Sequence, residues 1–231
     1  MPSRQPEAPE LIWLLPEHSG RGPRPAHSRA SIAAAAVRIA DAEGLDAVSM
    51  RKVAAELGAG TMSLYNYVPK KEHLFDLMVD QIAGEYELPT EPSGDWRADL
   101  TALAGRQLAV LRRHGWAARL IATRPSLGPN GLRYTEHFLG ALAGTELTGS
   151  AKMEAMSQLN GFLCQFAEWE RSATGSSPRW ISDMVTYLQG VAMSGGYPRL
   201  AQVLAEGPAP SGPDAVFDRL LQRILTAICE T

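Results

Sequence analysis

Two short helical patterns flank a Gly-Ala-Gly turn in the stretch SMRKVAAELGAGTMSLYNYV, residues 49–68. In the second pattern, Leu64 and Val68 are four residues apart and therefore share one helix face. That face must pack on the apolar side of the preceding helix. Two short helices joined in this way form a helix-turn-helix, whose second helix enters the major groove of DNA. This stretch therefore predicts a helix-turn-helix.

On the second helix of this motif a row of residues points largely outward, away from the buried face, namely Met62, Ser63, Tyr65 and Asn66. An Asn side chain pairs with an adenine edge, Ser bonds to several bases or to phosphate, and Met contacts a thymine methyl group. The hydroxyls of Tyr65 and Tyr67 suit phosphate oxygens. The row predicts a surface that contacts DNA.

Lys70 and Lys71 open the next helix, where the helix dipole disfavours cations by roughly 0.3–1 kcal/mol each. A bound phosphate reverses this sign, because it accepts from a lysine and from free helix N–H groups together. Arg51 lies in the first turn of the preceding helix, where the helix dipole also disfavours a cation and a bound phosphate would also reverse this effect. The alternative is a solvated lysine pair balanced by Glu72. The flanking helices favour the phosphate interpretation.

Helical periodicity continues through the rest of the chain, and we find no alternating strand pattern. Loop signals such as PTEPSGD and EGPAPSGPD separate the segments. The predicted helices span 28–44, 49–58, 61–68, 70–86, 96–113, 116–122, 131–144, 150–172, 179–193, 198–205 and 214–229. We place Thr61 as an N-cap and Pro69 at the start of the fourth helix.

We therefore predict an all-α fold in three parts. Residues 1–27 form a flexible N-terminal arm, and residues 28–75 form a three-helix helix-turn-helix DNA-binding domain. Residues 76–231 form a larger helical domain for effector binding and dimerisation.

Charge is unevenly distributed along the chain. Residues 21–71 carry 8 Lys and Arg against 4 Asp and Glu, whereas residues 72–231 carry 13 against 18. This asymmetry indicates nucleic acid binding at one end only. In GRGPRPAHSR (20–29), Arg21, Arg24 and Arg29 have the spacing of an extended arm along a minor groove. The alternative is a disordered lead-in whose arginines only aid solubility.

The segment ADAEGLDAVSMRKVAAELGAGTMSLYNYVPKKEHLFDLMVD (40–80) resembles the DNA-binding domain of the tetracycline-repressor (TetR/AcrR) family of bacterial transcriptional regulators. HGWAARLIATRPSLGPNG (114–131) is similar to a segment of the tetracycline-repressor-like C-terminal domains. The resemblance implies a homodimeric repressor that binds a palindromic DNA operator and is released by a small molecule. Residues that would face bases by this resemblance are Thr61, Met62, Ser63 and Asn66. Residues that would hold phosphates are Arg51, Tyr65, Tyr67 and Lys71, and the charge argument adds Lys70.

Aromatic residues mixed with polar groups on the central helices are candidates for an effector site. They are Gln107, Trp116, Asn130, Phe138, Gln158, Phe162, Phe166 and Trp180. Ordinary core packing is the alternative role for each of them. The apolar surroundings suggest a hydrophobic or aromatic effector of unknown identity.

Two helices have apolar arcs too wide for a single contact. In 150–172 the stripe of Met153, Met156, Leu159, Leu163 and Phe166 is widened by Phe162 and Trp169. In 214–229 the stripe of Val216, Leu220, Ile224 and Ile228 is flanked by Phe217, Leu221 and Leu225. Such helices suit a four-helix dimer bundle. The alternative is burial of both within one monomer.

Other function classes have little support in the sequence. The chain has 2 Cys, and no Cys/His spacing suggests a metal site or a cofactor. We place no catalytic cluster, so we do not expect an enzyme. The apolar run at 10–18 is too short to span a bilayer, and we expect a cytoplasmic protein. The alternative to a ligand-released repressor is a helix-turn-helix DNA-binding protein without a small-molecule effector, which is controlled by a protein partner or is constitutive.

Overall fold

The structure is a computed structural model that describes residues 10–17, 27–175, 177–207 and 212–229. Across these ranges the chain forms eleven α-helices, two 3-10 helices and no β-strand. The predicted all-α fold is confirmed. Within the same ranges, no helix has both the length and the apolar character needed to cross a membrane.

The helices follow the predicted order closely. They are α1 (Arg29–Glu43), α2 (Met50–Glu56), α3 (Thr61–Tyr65), α4 (Lys71–Ala83), α5 (Trp96–Arg113), α6 (Ala117–Ile121), α7 (Pro129–Ala141), α8 (Gly149–Gly175), α9 (Pro178–Met193), α10 (Pro198–Glu206) and α11 (Pro213–Cys229). Short 3-10 helices occupy Ile12–Leu14 and Leu45–Ala47.

Local capping explains where α1 begins and ends. The Ser28 side chain accepts from the Ser31 main-chain N–H, and the Ser31 hydroxyl occupies the reciprocal position near the Ser28 N–H. This capping box satisfies N–H groups that the first turn leaves unpaired. The helix ends at Gly44, whose φ of 87° is costly for residues with a Cβ atom.

The helix-turn-helix is shorter than its sequence pattern indicated. Ser49 caps α2 by accepting from the Lys52 N–H, as expected for a Ser in this position. The N-cap of α3 is Gly60, so Thr61 is the first helical residue and not the cap. Similarly, α4 begins at Lys71 with Lys70 as its N-cap, so Pro69 precedes the helix. Both predicted start positions were wrong by one or two residues.

A continuous apolar core fills the first part of the chain. Its fully buried side chains come from the helix-turn-helix, from α4, from α5 and from the end of α7. They include Ile32, Leu64, Leu74, Met78, Ile82, Leu100, Leu103, Leu108, Phe138 and Leu142. Because α4 contributes Leu74, Met78 and Ile82, it is a buried connection between the predicted domains.

The described residues up to Ala167 form one compact unit, and those from Glu168 form a second. The predicted domain boundary at 75/76 thus lies inside the first unit. In the second unit, α9 and α10 contact each other but bury no residue completely. In α11 the buried side chains are Phe217, Leu221, Leu225 and Ile228, whereas Val216, Leu220 and Ile224 stay half-exposed.

Candidate nucleic-acid interface and effector cavity

The predicted recognition helix α3 presents two distinct faces. Leu64 is fully buried, and so is Val68 just beyond the helix. Met62 is 77% exposed and Tyr65 is 40% exposed, and Ser63 and Asn66 are exposed as well. Because Met62 is so exposed, it contributes little to the core, and the α3 face that carries it is accessible to another molecule. The predicted row is therefore exposed, as a helix face that contacts DNA must be.

Cations lie at the helix N-termini beside this face. Arg51 is exposed in the first turn of α2, and Lys71 is exposed as the first residue of α4. The Lys71 Nζ lies 5.2 Å from the centroid of the Phe75 ring, so an aromatic face helps to position it. Lys70 is different, because its Nζ lies 2.6 Å from the Glu10 carboxylate. The balancing acid for Lys70 is therefore Glu10, a residue from the N-terminal segment, and not Glu72.

The predicted arginine arm needs correction at Arg29. The Arg29 guanidinium donates to the main-chain carbonyls of Ile12 at 3.2 Å, Leu15 at 2.9 Å, Pro16 at 2.9 Å and Tyr67 at 3.0 Å. A guanidinium engaged in this way is not available to a minor groove. Arg21 and Arg24, the other predicted arm residues, lie outside the described residues. Residues 10–17 form an ordered segment in which Ile12 is fully buried, which also differs from the predicted flexible arm.

A small cavity lies among α4, α5, α7, α8 and the loop that follows α6. Its volume is about 80 Å³, and its polar wall contains Gln107, Tyr134, Asn160 and Ser126. The Tyr134 hydroxyl donates to Gln107 Oε1 at 2.8 Å, and Gln107 Nε2 donates to Asn160 Oδ1 at 3.0 Å. The buried Ser126 hydroxyl has no hydrogen-bond partner, although such groups are normally paired.

Gln107 is the predicted effector-site residue that lines this cavity. Phe138 is fully buried beside the wall, with its ring centroid 6.5 Å from that of Tyr134. Phe166 is buried and pairs with Phe162 at a centroid distance of 5.8 Å. These aromatic residues surround the region without lining the cavity itself.

The other predicted effector-site residues lie elsewhere. Trp116 donates its indole N–H to Asp41 Oδ1 at 2.7 Å, and Asn130 donates its side-chain amide to the Asp80 carbonyl at 3.1 Å. Gln158 is exposed on α8, and Trp180 is 58% exposed on α9. None of these four residues lines the cavity described above.

Apart from Gln107, sequence reasoning missed the cavity wall, including its polar residues Tyr86, Ser126, Tyr134 and Asn160. Tyr134 and Asn160 are polar residues inside otherwise apolar helix faces, and this pattern in the sequence could have identified them as candidates. Burial raises the pKa of the Tyr134 and Tyr86 hydroxyls far above the usual value, so both remain neutral donors at physiological pH.

Two side chains of α4 hold the loop that borders the cavity. Arg124 Nε donates to Asp76 Oδ1 at 2.8 Å. Asp80 Oδ1 accepts from the main-chain N–H groups of Asn130 at 2.9 Å and Gly131 at 3.0 Å, at the start of α7. Burial raises the pKa of the Asp80 carboxyl, while these hydrogen bonds act in the opposite direction. The loop and α4 are thus joined by ionic and main-chain contacts.

A second set of contacts joins α1 to the end of α5. Asp41 Oδ1 lies 2.8 Å from His114 Nδ1, and the His114 Nε2 lies 3.2 Å from both oxygens of Glu85. Arg113 also pairs with Glu85. Both ring nitrogens of His114 therefore face carboxylate oxygens, one from α1 and one from the segment after α4. Both α1 and α4 are thereby joined to the part of the chain around the cavity.

Comparison with known proteins agrees with this architecture. The family described as "Bacterial regulatory proteins, tetR family" matches residues 32–78, and "Tetracyclin repressor-like, C-terminal domain" matches residues 88–231. The HTH-type transcriptional repressor DrrR1 of Streptomyces coeruleorubidus is 39% identical, over 95% of this chain and 83% of that protein. An HTH-type transcriptional regulator of Saccharopolyspora erythraea is 33% identical, over 97% of this chain and 93% of that protein.

Solved structures show the same fold. Apo ActR from Streptomyces coelicolor superposes with a TM-score of 0.76 at 28% identity, covering 90% of this chain and 97% of ActR. ActR in complex with actinorhodin gives a TM-score of 0.77 at 27% identity, covering 89% and 97%. The sequence matches, the helix-turn-helix with its exposed α3 face and the shared fold lead to one conclusion: this chain belongs to the tetracycline-repressor (TetR) family of DNA-binding transcriptional regulators.

Proposed function

We propose that the chain is a repressor that binds a palindromic operator as a homodimer and is released by a small, largely hydrophobic effector. The observation that carries the DNA-binding part is the exposed face of α3 with cations at the neighbouring helix N-termini. Thr61, Met62, Ser63 and Asn66 are the proposed base contacts. Arg51, Tyr65, Tyr67, Lys70 and Lys71 are the proposed phosphate contacts.

Base specificity in this proposal comes from neutral side chains, since α3 contains no Arg or Lys. Phosphate contacts position a protein on DNA, whereas base-edge contacts discriminate sequences. Selection of bound fragments from genomic DNA tests this directly. The proposal predicts two inverted half-sites centred about one helical turn, or a multiple of it, apart. Selected fragments that contain single, unpaired half-sites would contradict it.

The homodimer is supported by the apolar stripe on α11 that the single chain leaves half-exposed, Val216, Leu220 and Ile224. A two-fold operator also requires two recognition helices. We expect Leu220→Glu to convert a dimer into a monomer in light scattering, because a buried carboxylate would enter the interface. Thr226→Glu, on the exposed side of the same helix, is the matched control and should leave the dimer intact.

Effector binding is supported by the cavity and by the relatives. ActR has been solved in complex with actinorhodin and with (S)-DNPA. In this chain the cavity has a wall of neutral hydrogen-bonding groups, Tyr134, Gln107, Asn160 and Ser126. Such a wall suits an aromatic compound that carries hydroxyl or carbonyl groups. We keep the remaining candidates Trp116, Asn130, Phe138, Gln158, Phe162, Phe166 and Trp180 as proposed effector-site residues.

Cavity size indicates how release would work. The cavity of about 80 Å³ is much smaller than the roughly 300–1,000 Å³ of typical ligand pockets. A ligand must therefore push the wall outward. The loop that carries Arg124 and Ser126 is held to α4 by Asp76 and Asp80, so its displacement moves α4. Because Lys71 is the first residue of α4, the proposed phosphate contact moves with it.

The alternative function is a helix-turn-helix protein without a small-molecule effector, and the small cavity favours it. Thermal unfolding with and without actinorhodin, the ligand of ActR, is the first test. A ligand that binds only the folded state at 100-fold above its Kd stabilises by about 2.7 kcal/mol. Stabilisation that disappears in Tyr134→Phe supports the effector site. If actinorhodin and a panel of hydroxylated aromatic compounds all leave the unfolding temperature unchanged, the effector-free alternative is favoured.

A further inference from the structure

Residues 10–17 form a segment, here called the N-terminal clip, that the family domains do not include, since their matches begin at residue 32. The clip contains the 3-10 helix Ile12–Leu14, and Ile12 is fully buried. Arg29 holds it through the carbonyls of Ile12, Leu15 and Pro16. The same guanidinium bonds to the carbonyl of Tyr67 just before α4, so the clip is fixed beside the DNA-facing helices.

A second anchor fixes the other side of the clip. At Gly128, the N-cap of α7, an added methyl carbon would lie 2.5 Å from Trp13 Cζ2 and 2.3 Å from the Asp80 carboxylate. The Trp13 ring therefore lies directly against the loop backbone. With one anchor at Arg29 and another at Gly128, the position of Glu10 is determined by the fold.

The fixed position of Glu10 matters because of its partner. Its carboxylate lies 2.6 Å from Lys70 Nζ, and its carbonyl accepts from His73 Nε2 at 2.9 Å. His73 is buried on α4, so its contact aligns Glu10 with the start of that helix. Lys70 holds the pKa of the Glu10 carboxyl below its usual value. A carboxylate of the chain itself therefore lies beside Lys70, at a side chain for which we propose a phosphate contact.

We propose that Glu10 is an intramolecular competitor of the DNA phosphate at Lys70 and thereby lowers the affinity of the protein for DNA. This inference rests on the proposed DNA-binding function. Lys71 provides the internal comparison, because it begins the same helix and has no acidic partner among the described residues. Lys70 must break its ion pair with Glu10 before it can bind a phosphate, whereas Lys71 can bind a phosphate without breaking an ion pair.

The test compares Glu10→Gln with the unchanged protein on a random-sequence DNA duplex, because phosphate contacts do not depend on sequence. We expect Glu10→Gln to raise the affinity about two- to fivefold, the range of an exposed ion pair. We also expect the slope of log affinity against log salt to steepen by up to about one. In a Lys70→Ala background, Glu10→Gln should change neither quantity.

Glu17→Gln is the matched control, because it removes an equal charge from the same clip at a residue whose partner within the described part of the chain is Arg29, through its main-chain N–H and its charge, and not Lys70. It should leave affinity and slope unchanged. An equal rise in Glu17→Gln would overturn the proposal, since a general charge effect would explain both. No change in Glu10→Gln, with weaker binding in Lys71→Ala, would also overturn it while leaving the DNA-binding function intact. If Lys71→Ala also had no effect, the proposed function itself would fail.

Discussion

Arg124 Nε donates to Asp76 Oδ1 across 2.8 Å, and this contact joins the loop beside the proposed effector cavity to the helix that begins at Lys71. Both side chains are largely shielded, with exposed fractions of 29% for Arg124 and 13% for Asp76. The Asp76 hydrogen bond raises the pKa of the Arg124 guanidinium, so Arg124 stays positively charged at physiological pH. The contact provides a direct connection between the proposed effector and DNA sites.

Removing this connection should have a measurable cost. We expect Asp76→Asn to lower the free energy of unfolding by roughly 1.5–3 kcal/mol, the range for hydrogen bonds to charged groups. Urea denaturation measures this change. The control is Glu56→Gln, which breaks the exposed pair with Arg38 and should cost no more than about 1 kcal/mol. Equal losses in the two variants would mean that the Arg124–Asp76 contact is no stronger than a surface ion pair.

The loop beside α7 tolerates no extra side chain at Gly128. Because an added methyl carbon would clash with the Trp13 ring and the Asp80 carboxylate, we expect Gly128→Ala to cost about 1–3 kcal/mol of unfolding free energy. Gly105, in the interior of α5, has nothing within 4 Å of the same position. We expect Gly105→Ala to stabilise by roughly 0.5–1 kcal/mol. Thermal unfolding of both variants should give shifts of opposite sign, and a stabilising Gly128→Ala would contradict the packing described.

Two substitutions at the proposed DNA interface distinguish a phosphate contact, which positions the protein on DNA, from a base contact, which discriminates between DNA sequences. Lys71→Ala should weaken binding to all DNA sequences similarly and lower the salt slope by about one. Asn66→Ala should relax the preference at one base pair in each half-site by roughly 1–3 kcal/mol if its contact is bidentate. Competition assays with mutated operators distinguish the two patterns. A sequence-dependent loss in Lys71→Ala would show that the assigned roles are wrong.

Acid titration provides a test of the clip that does not involve DNA. Lys70 lowers the pKa of Glu10 from its ordinary value of 4.5. The stabilisation from a depressed carboxyl is present above the unfolded-state pKa and is lost as pH falls through the lower folded-state pKa. We therefore expect the Glu10 carboxyl, followed by NMR, to titrate below 4.5. In Lys70→Ala its midpoint should return upward, and an unchanged midpoint would argue against the ion pair.

Helix periodicity was sufficient to predict most of the fold. The spacing of Leu64 and Val68 correctly identified the buried face of the recognition helix, because that pattern is local. Helix starts were predicted less well, since the cap at Gly60 has no side chain to signal it. The apolar stripe of Val216, Leu220 and Ile224 could be identified from the sequence, because the helix carries more apolar residues than one face needs. Which of the two stripes on α11 is buried depends on tertiary packing and could not be predicted.

Long-range polar contacts could not be predicted from the sequence. Asp80 finds its main-chain partners about 50 residues later, and Gln107 pairs with Asn160 across a separation of 53 residues. No local pattern specifies such pairings. Arg29 was assigned to an arm because of its neighbours in sequence, whereas its actual partners are carbonyls of a segment that folds back on it.

The most direct test of the central claim is fluorescence-anisotropy binding of the purified protein to DNA from immediately upstream of its own coding sequence. Self-regulation is typical of repressors of this kind, so this fragment is the first choice of operator. We predict tight binding that weakens steeply with salt and is not displaced by excess random-sequence DNA. Binding to neither this fragment nor fragments selected from the genome, at any salt concentration, would contradict the account.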